Sequence, residues 1–147
     1  LVAANPGEPL KPLTQVASGG EISRIMLALK SLLAEADRVP VLIFDEIDAG
    51  ISGRVAQAVG VSMRKLAATH QILAITHLPQ IASMAHQHFA VEKQSDADST
   101  TTRLRRLNTN ERYEHIAGLF GGEAVTDAHL ASAKQLIQEA ESLAPSS

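Results

Sequence analysis

Four consecutive apolar residues, Val41-Leu42-Ile43-Phe44, follow Pro40 and run directly into two adjacent carboxylates, Asp45-Glu46. A run this short, apolar at every position, is a strand of the kind covered on both faces in a parallel sheet. Parallel strands need a crossover connection, and the sequence supplies one. Gly50 and Gly53 open the chain, and a helix is predicted from about Arg54 to Ala68, with Val55, Val59, Met63 and Leu66 on one stripe. Gln71-Ile72-Leu73-Ala74-Ile75-Thr76 then forms a second short buried strand that ends at His77. Strand, helix, strand in this order is a βαβ unit with its two strands parallel. The fold class expected is therefore α/β.

The flanking segments extend this frame. Asn5 to Thr14 carries Pro6, Gly7, Pro9 and Pro12 and reads as a loop. Ser18 and Glu21 have the spacing of a capping box, and Ile22, Ile25, Met26, Leu29, Leu32 and Leu33 recur at helical spacing behind it. That pattern predicts a helix to about Asp37. Beyond His77 the character changes. Phe89 to Lys93 and Thr101 to Leu107 read as a hairpin around the polar loop Ser95 to Ser99. A helix is predicted from about Glu111 to Phe120, stopped by Gly121-Gly122. A last helix spans roughly Thr126 to Leu143, capped by Thr126 or Asp127, with Pro145-Ser146-Ser147 frayed.

Composition narrows the function classes. At 147 residues the chain fits a single domain, and 45% apolar residues suffice for a core. With aromatics at 3%, that core is aliphatic. A net charge of −3 gives no global basic field to draw the chain onto nucleic acid, so any contact with DNA rests on a local patch or on other parts. Cysteine is absent, which excludes disulfides and thiolate metal sites and fits a reducing compartment. No apolar run approaches the ~20 residues of a membrane span. The chain starts at Leu1 with neither an initiator Met nor a leader pattern, the expectation for a fragment of a longer polypeptide.

The chemistry gathers at the strand ends, where parallel α/β sheets keep their sites. Asp45, directly after a buried strand, is placed to hold Mg²⁺, usually through water, beside substrate phosphates. Glu46 is placed to orient and deprotonate an attacking water. His77, at the tip of the neighbouring strand, is placed to hydrogen-bond a terminal phosphate oxygen. The Ser18-Gly19-Gly20 turn lets backbone N–H groups approach a phosphate, assisted by the helix dipole and the Ser18 hydroxyl. Each feature also has a plainer reading: a solvated Asp-Glu turn, a strand-end histidine, an ordinary helix cap. A Gly-x-x-x-x-Gly-Lys-Ser/Thr loop, which would cradle the triphosphate, does not occur in these residues.

In combination the segments resemble the ATP-binding cassette family. Ala17-Ser18-Gly19-Gly20-Glu21 resembles its signature sequence, Val41 to Glu46 its Walker B strand, Ile47 to Gly53 its D-loop, and His77 its switch histidine. Transporter members usually carry Gln after the signature glycines and Pro-Thr-Ser after Asp-Glu. Here Glu21 and Ile47-Asp48-Ala49-Gly50 stand instead, as in the SMC-like DNA-repair branch. Asn5 to Leu13, Ala17 to Ala28 and Thr76 to Ala82 resemble the RecN family within that branch, and the likeness runs through nearly the whole chain. The resemblance implies the C-terminal lobe of a P-loop NTPase head: a short, mainly parallel sheet flanked by helices, plus the hairpin and the last helices. It implies ATP and Mg²⁺ as cofactors, a homodimer of heads, and action on DNA double-strand breaks through coiled-coil arms, with double-strand ends or single-stranded DNA engaged by missing or distant parts. The protein would be cytoplasmic and nucleoid-associated, with no membrane partner. Ser18, Gly19, Gly20 and Glu21 would serve the partner's nucleotide, Asp45 would support Mg²⁺, and Glu46 would be the general base. His77 would contact the γ-phosphate in cis, and Asp48 would lie at the dimer seam. The missing P-loop and arms would precede Leu1, leaving the isolated 147 residues inactive.

Other features carry less. Lys93, Arg103, Arg105 and Arg106 form a basic cluster that either touches DNA phosphate or protects a hairpin edge, the blander reading. His86 and His88 have no third ligand in sequence and read as a solvated turn. Arg24 reads equally as a nucleotide or cross-dimer contact and as a surface salt bridge. Tyr113 and His115 offer nothing beyond helix placement. The alternative functions are another SMC-like ATPase head, a non-enzymatic docking fragment, and, least supported, a transporter ATPase.

Overall fold

A computed structural model describes residues 7, 9–10, 12, 17–34, 36, 38–96, 99–121 and 124–143, and the chain divides into two units, residues 1–77 and 78–147. The proline-rich stretch at 5–14 lies largely outside the described residues.

The first unit is the βαβ frame with one helix ahead of it. Helix α1 (Gly19–Leu32) starts at Ser18, whose extended backbone and side chain cap it, and its last turn carries Lys30. It ends at Leu32, short of the point the apolar spacing predicts. Strand β1 (Val41–Phe44) pairs in parallel with β2 (Gln71–Ala74), in a register that sets Val41 opposite Gln71 and Phe44 opposite Ala74. Helix α2 (Gly53–Leu66) makes the crossover and packs against α1. Ladder-type bonding continues beyond β2, where the Ile75 N–H donates to the Phe44 carbonyl at 3.1 Å. Leu27, Leu42, Phe44, Ile47, Ala56, Met63 and Leu66 are buried.

The expectation of two buried strands fails here: β2 is exposed at Gln71, Leu73 and Ala74. β1 reads from sequence as apolar on both faces and covered on both, yet only Leu42 and Phe44 are buried, while Ile43 is 70% exposed. Ile75, Leu73, Val41, Ile25, Met26, Leu29 and Leu32 are also exposed. The physical reason is the sheet's size: among the described residues it has two strands, too few to bring helices over both faces.

The second unit begins with a short helix α3 (Pro79–Ala82), with Pro79 at its first position, where a missing N–H costs nothing. The hairpin strands β3 (Phe89–Asp96) and β4 (Ser99–Arg106) pair antiparallel from Phe89↔Arg106 to Asp96↔Ser99. They therefore run further toward the tip than polarity alone predicts, and of the expected Ser95–Ser99 loop only residues 97 and 98 lie outside the ladder and outside the described residues. Helix α4 (Thr109–Gly118) begins with a second capping box, Asn108 with Glu111, and α5 (Asp127–Ser142) is capped by Thr126. α4 packs on α5, and both touch α3. Ala82, Ile116, Ala117, Ala133 and Ile137 form the core there, edged by Tyr113, Leu119 and Leu130. Alanines at these positions let helix backbones approach closely, which suits a chain with few large aromatics.

Candidate nucleotide site at the strand ends

The glycine turn is held by reciprocal hydrogen bonds. The Ser18 N–H donates to Glu21 Oε2 at 2.8 Å, the Ser18 hydroxyl donates to the same oxygen at 3.0 Å, and the Glu21 N–H donates back to Ser18 Oγ at 3.3 Å. The backbone N–H of Ser18, then its hydroxyl, holds the Glu21 carboxyl below its ordinary range. Glu21 is thus engaged in closing the turn.

The end of β1 meets this turn directly. Glu46 has φ 55°, a left-handed conformation uncommon outside glycine, and the kind of local strain that collects at functional sites. Its carboxylate stands over Gly19, so that a Cβ there would strike Glu46 Oε2. At Gly20 a Cβ would lie 2.8 Å from the Glu46 carbonyl oxygen and 2.9 Å from the Ala49 Cβ. Gly20 is therefore required by contact with backbone and Cβ atoms, whereas at Gly19 only the end of the Glu46 side chain stands in the way. Asp45 and Glu46 are both exposed, and Asp45 Oδ1 accepts the Glu46 N–H at 2.9 Å.

Two side chains of α1 fasten it to the loop after β1. The Ser23 hydroxyl donates to the Asp45 carbonyl at 2.9 Å. Arg24 Nη1 donates to the carbonyls of Ile47 and Ala49 at 3.1 and 2.8 Å. Neither sequence reading of Arg24 describes this backbone clamp. A signal for it was present: Arg24 is four residues beyond Gly20, and the bare glycine leaves the guanidinium room to cross that face of the helix.

Asp48 and His77 form the other part of the site. Asp48 is 5% exposed. Its Oδ2 accepts the Thr76 hydroxyl at 2.6 Å and the His77 backbone N–H at 2.8 Å, and lies 3.0 Å from His77 Nδ1. Burial pushes the Asp48 carboxyl up, but the bonds from Thr76 and the His77 backbone, with the nearby imidazole, outweigh it and hold the group below the ordinary carboxylate range. The residue assigned by resemblance to a dimer seam thus bonds within its own chain. The His77 side chain is 75% exposed, with its ring held at Nδ1. Thr76 was not singled out from sequence as a site residue.

The site so built has a glycine turn apposed to a strand-end carboxylate pair, with an anchored histidine on the neighbouring strand. No protein-family model matches the chain. Individual proteins do. It is 46% identical over 137 residues, 93% of its length, to the DNA repair protein RecN of Vibrio cholerae serotype O1, and 45% identical over 141 residues, 96% of its length, to that of Bacillus subtilis strain 168. Against the Deinococcus radiodurans DNA repair protein RecN it is 48% identical over 135 residues, 92% of its length. The chain belongs to the RecN family. It spans about a quarter of the length of these RecN relatives.

Outside this site the structure corrects one reading and sharpens another. His88 is not in a solvated turn: it is half-buried, its ring edge-on to His115 with centroids 4.9 Å apart. Desolvation first, then the charges of His115 and Arg112, push its imidazole from 6.5 to about 4. Among the described residues no three His, Asp or Glu side chains gather as a metal site. In the basic cluster, Arg105 pairs with Glu92 at 3.0 Å and Glu111 at 2.5 Å, joining the hairpin to the start of α4. Among the described residues no helix is long and apolar enough to cross a membrane.

Proposed function

We propose that this chain is the signature-bearing part of the ATP-hydrolysing head of a RecN-type DNA-repair protein, and that two heads close around ATP. The observation that carries the reading is the apposition of the Ser18-Gly19-Gly20 turn to Asp45-Glu46 at one end of a parallel strand pair. Membership of the RecN family supports the repair role.

In this reading Glu46 takes the proton of the water that attacks the γ-phosphorus, and the ADP oxygen leaves in line with it. His77 meets the γ-phosphate of the same head. The N–H groups of the glycine turn, at the start of a 14-residue helix, close over the γ-phosphate held by a partner head. The donor set fits Mg²⁺: hard carboxylate oxygens, exposed at the strand end and few in number. Asp45 would hold the ion together with nucleotide phosphate and water, and the ion would neutralise charge developing on the phosphates. The loop that cradles the triphosphate would come from residues outside these 147. DNA would be engaged through other parts of the protein.

A direct test follows from that division. The 147 residues alone should neither bind ATP tightly nor hydrolyse it. Mg²⁺-dependent turnover by this chain alone, abolished by Glu46→Gln, would overturn the assignment of the phosphate cradle to other residues.

A further inference from the structure

The contact between Asp48 and His77 says more than that both belong to one site. An ionised carboxylate only accepts hydrogen bonds. Asp48 Oδ2 lies 3.0 Å from His77 Nδ1 while accepting the Thr76 hydroxyl and the His77 backbone N–H. The nitrogen facing it must therefore carry hydrogen. In a neutral imidazole the other nitrogen, Nε2, then has a bare lone pair.

We propose that Asp48 is a positioning residue for His77: its buried carboxylate holds the imidazole as the Nδ1–H tautomer and turns the bare Nε2 outward. The arrangement is over-determined, because Oδ2 fixes the backbone of His77 and the hydroxyl of the preceding residue as well as the ring. Asp48 is itself held in a turn, its carbonyl accepting the Ile51 N–H at 3.3 Å next to the fully buried Ile47. The same logic applies wherever a buried carboxylate selects a histidine tautomer for catalysis.

The consequence rests on the nucleotide-site reading and narrows it. Neutral His77, so held, is a hydrogen-bond acceptor at the nitrogen it presents. It accepts a hydrogen bond from water, or from a protonated phosphate oxygen, and donates to an anionic phosphate oxygen only once Nε2 has itself been protonated. Thr76 and Asp48 thereby tie the chemistry at the end of β2 to the loop that follows β1.

The test needs no nucleotide, so it separates this proposal from the ATPase reading. In the ¹⁵N-labelled chain, at a pH where the imidazole is neutral, long-range proton–nitrogen spectra distinguish a protonated from a bare ring nitrogen. The His77 signals are assigned by their loss in His77→Gln. The expected result is a protonated Nδ1 and a bare Nε2 in the wild-type chain. In Asp48→Ala the major form should change to the Nε2–H tautomer that free histidine favours. A wild-type His77 protonated mainly at Nε2 overturns the proposal. So does an Asp48→Ala chain with native amide dispersion and an unchanged tautomer. If Asp48→Ala loses its fold, the wild-type spectrum alone decides.

Discussion

Adjacent glycines in the Ser18 turn should respond very differently to the same added methyl group. At Gly20 the new Cβ would lie 2.8 Å from the Glu46 carbonyl oxygen, 2.9 Å from the Ala49 Cβ and 3.1 Å from Arg24 Nη1. The first two are fixed by the turn after β1 and by the clamp that Arg24 places on it, so the helix start must move. Overpacking of this kind costs about 1–3 kcal/mol. Alanine's better helix propensity offsets at most ~1 kcal/mol, and less than that in a first turn. Gly20→Ala should therefore destabilise the first unit by about 1–2 kcal/mol. At Gly19 the Cβ meets only the end of the Glu46 side chain, which can swing aside. Gly19→Ala should change stability by less than about 0.5 kcal/mol, as other substitutions away from packed features do. Urea unfolding followed by circular dichroism measures both. Equal effects at the two positions, or a more stable Gly20→Ala chain, would refute the close approach of turn and strand end.

Three further outcomes are expected. Arg24→Ala removes two charge-assisted bonds to carbonyl oxygens and should cost about 1.5–3 kcal/mol in the same unfolding assay. His88 gives a pH signature: unfolded, it binds a proton below 6.5, whereas folded it does so only below about 4, so the unfolded chain holds more protons between those values. Stability should fall as pH drops through that window. At about 1.4 kcal/mol per pH unit the ceiling is about 3 kcal/mol, and partial exposure brings it to about 1–2. Unfolding at pH 7 and at pH 4.5 in wild type and His88→Gln checks this, because the depressed carboxylates Glu21, Glu111 and Asp48 lose their contributions at lower pH. Finally, the exposed row with Ile43 and Ile75 should drive self-association. Sedimentation should show Ile43→Glu shifted toward monomer with its unfolding midpoint unchanged, and a wild-type chain fully monomeric at high concentration would contradict the expectation.

Local chemistry was legible in the sequence wherever a few residues decide it. The Ser18–Glu21 capping box, the parallel pairing of β1 with β2 and the last helix's cap, narrowed to Thr126 or Asp127 and found at Thr126, all depend on neighbours or on a topological rule. What depends on distant partners was not legible. Val41 to Phe44 reads as covered on both faces because its side chains are apolar, but whether a face is covered depends on what else packs there. His88 reads as solvated beside His86, since nothing nearby foretells His115 against its ring. The hairpin tip reads as a loop because it is polar, although the Ser99 to Thr102 run carries β-branched threonines that favour a strand. At the site, the residue types at the strand ends were legible while their wiring was not. Ser23, Arg24 and Thr76 act through backbone carbonyls or a buried carboxylate, contacts that sequence spacing does not display.

The most direct measurement is ATP hydrolysis by a chimera in which this chain replaces the matching segment of the Vibrio cholerae RecN protein, with and without Glu46→Gln. If Glu46 takes the proton of the attacking water, the chimera turns over ATP with Mg²⁺, and Glu46→Gln lowers the rate by about 10²-fold or more while nucleotide binding persists. A Glu46→Gln chimera that hydrolyses ATP as fast as its parent would contradict the account.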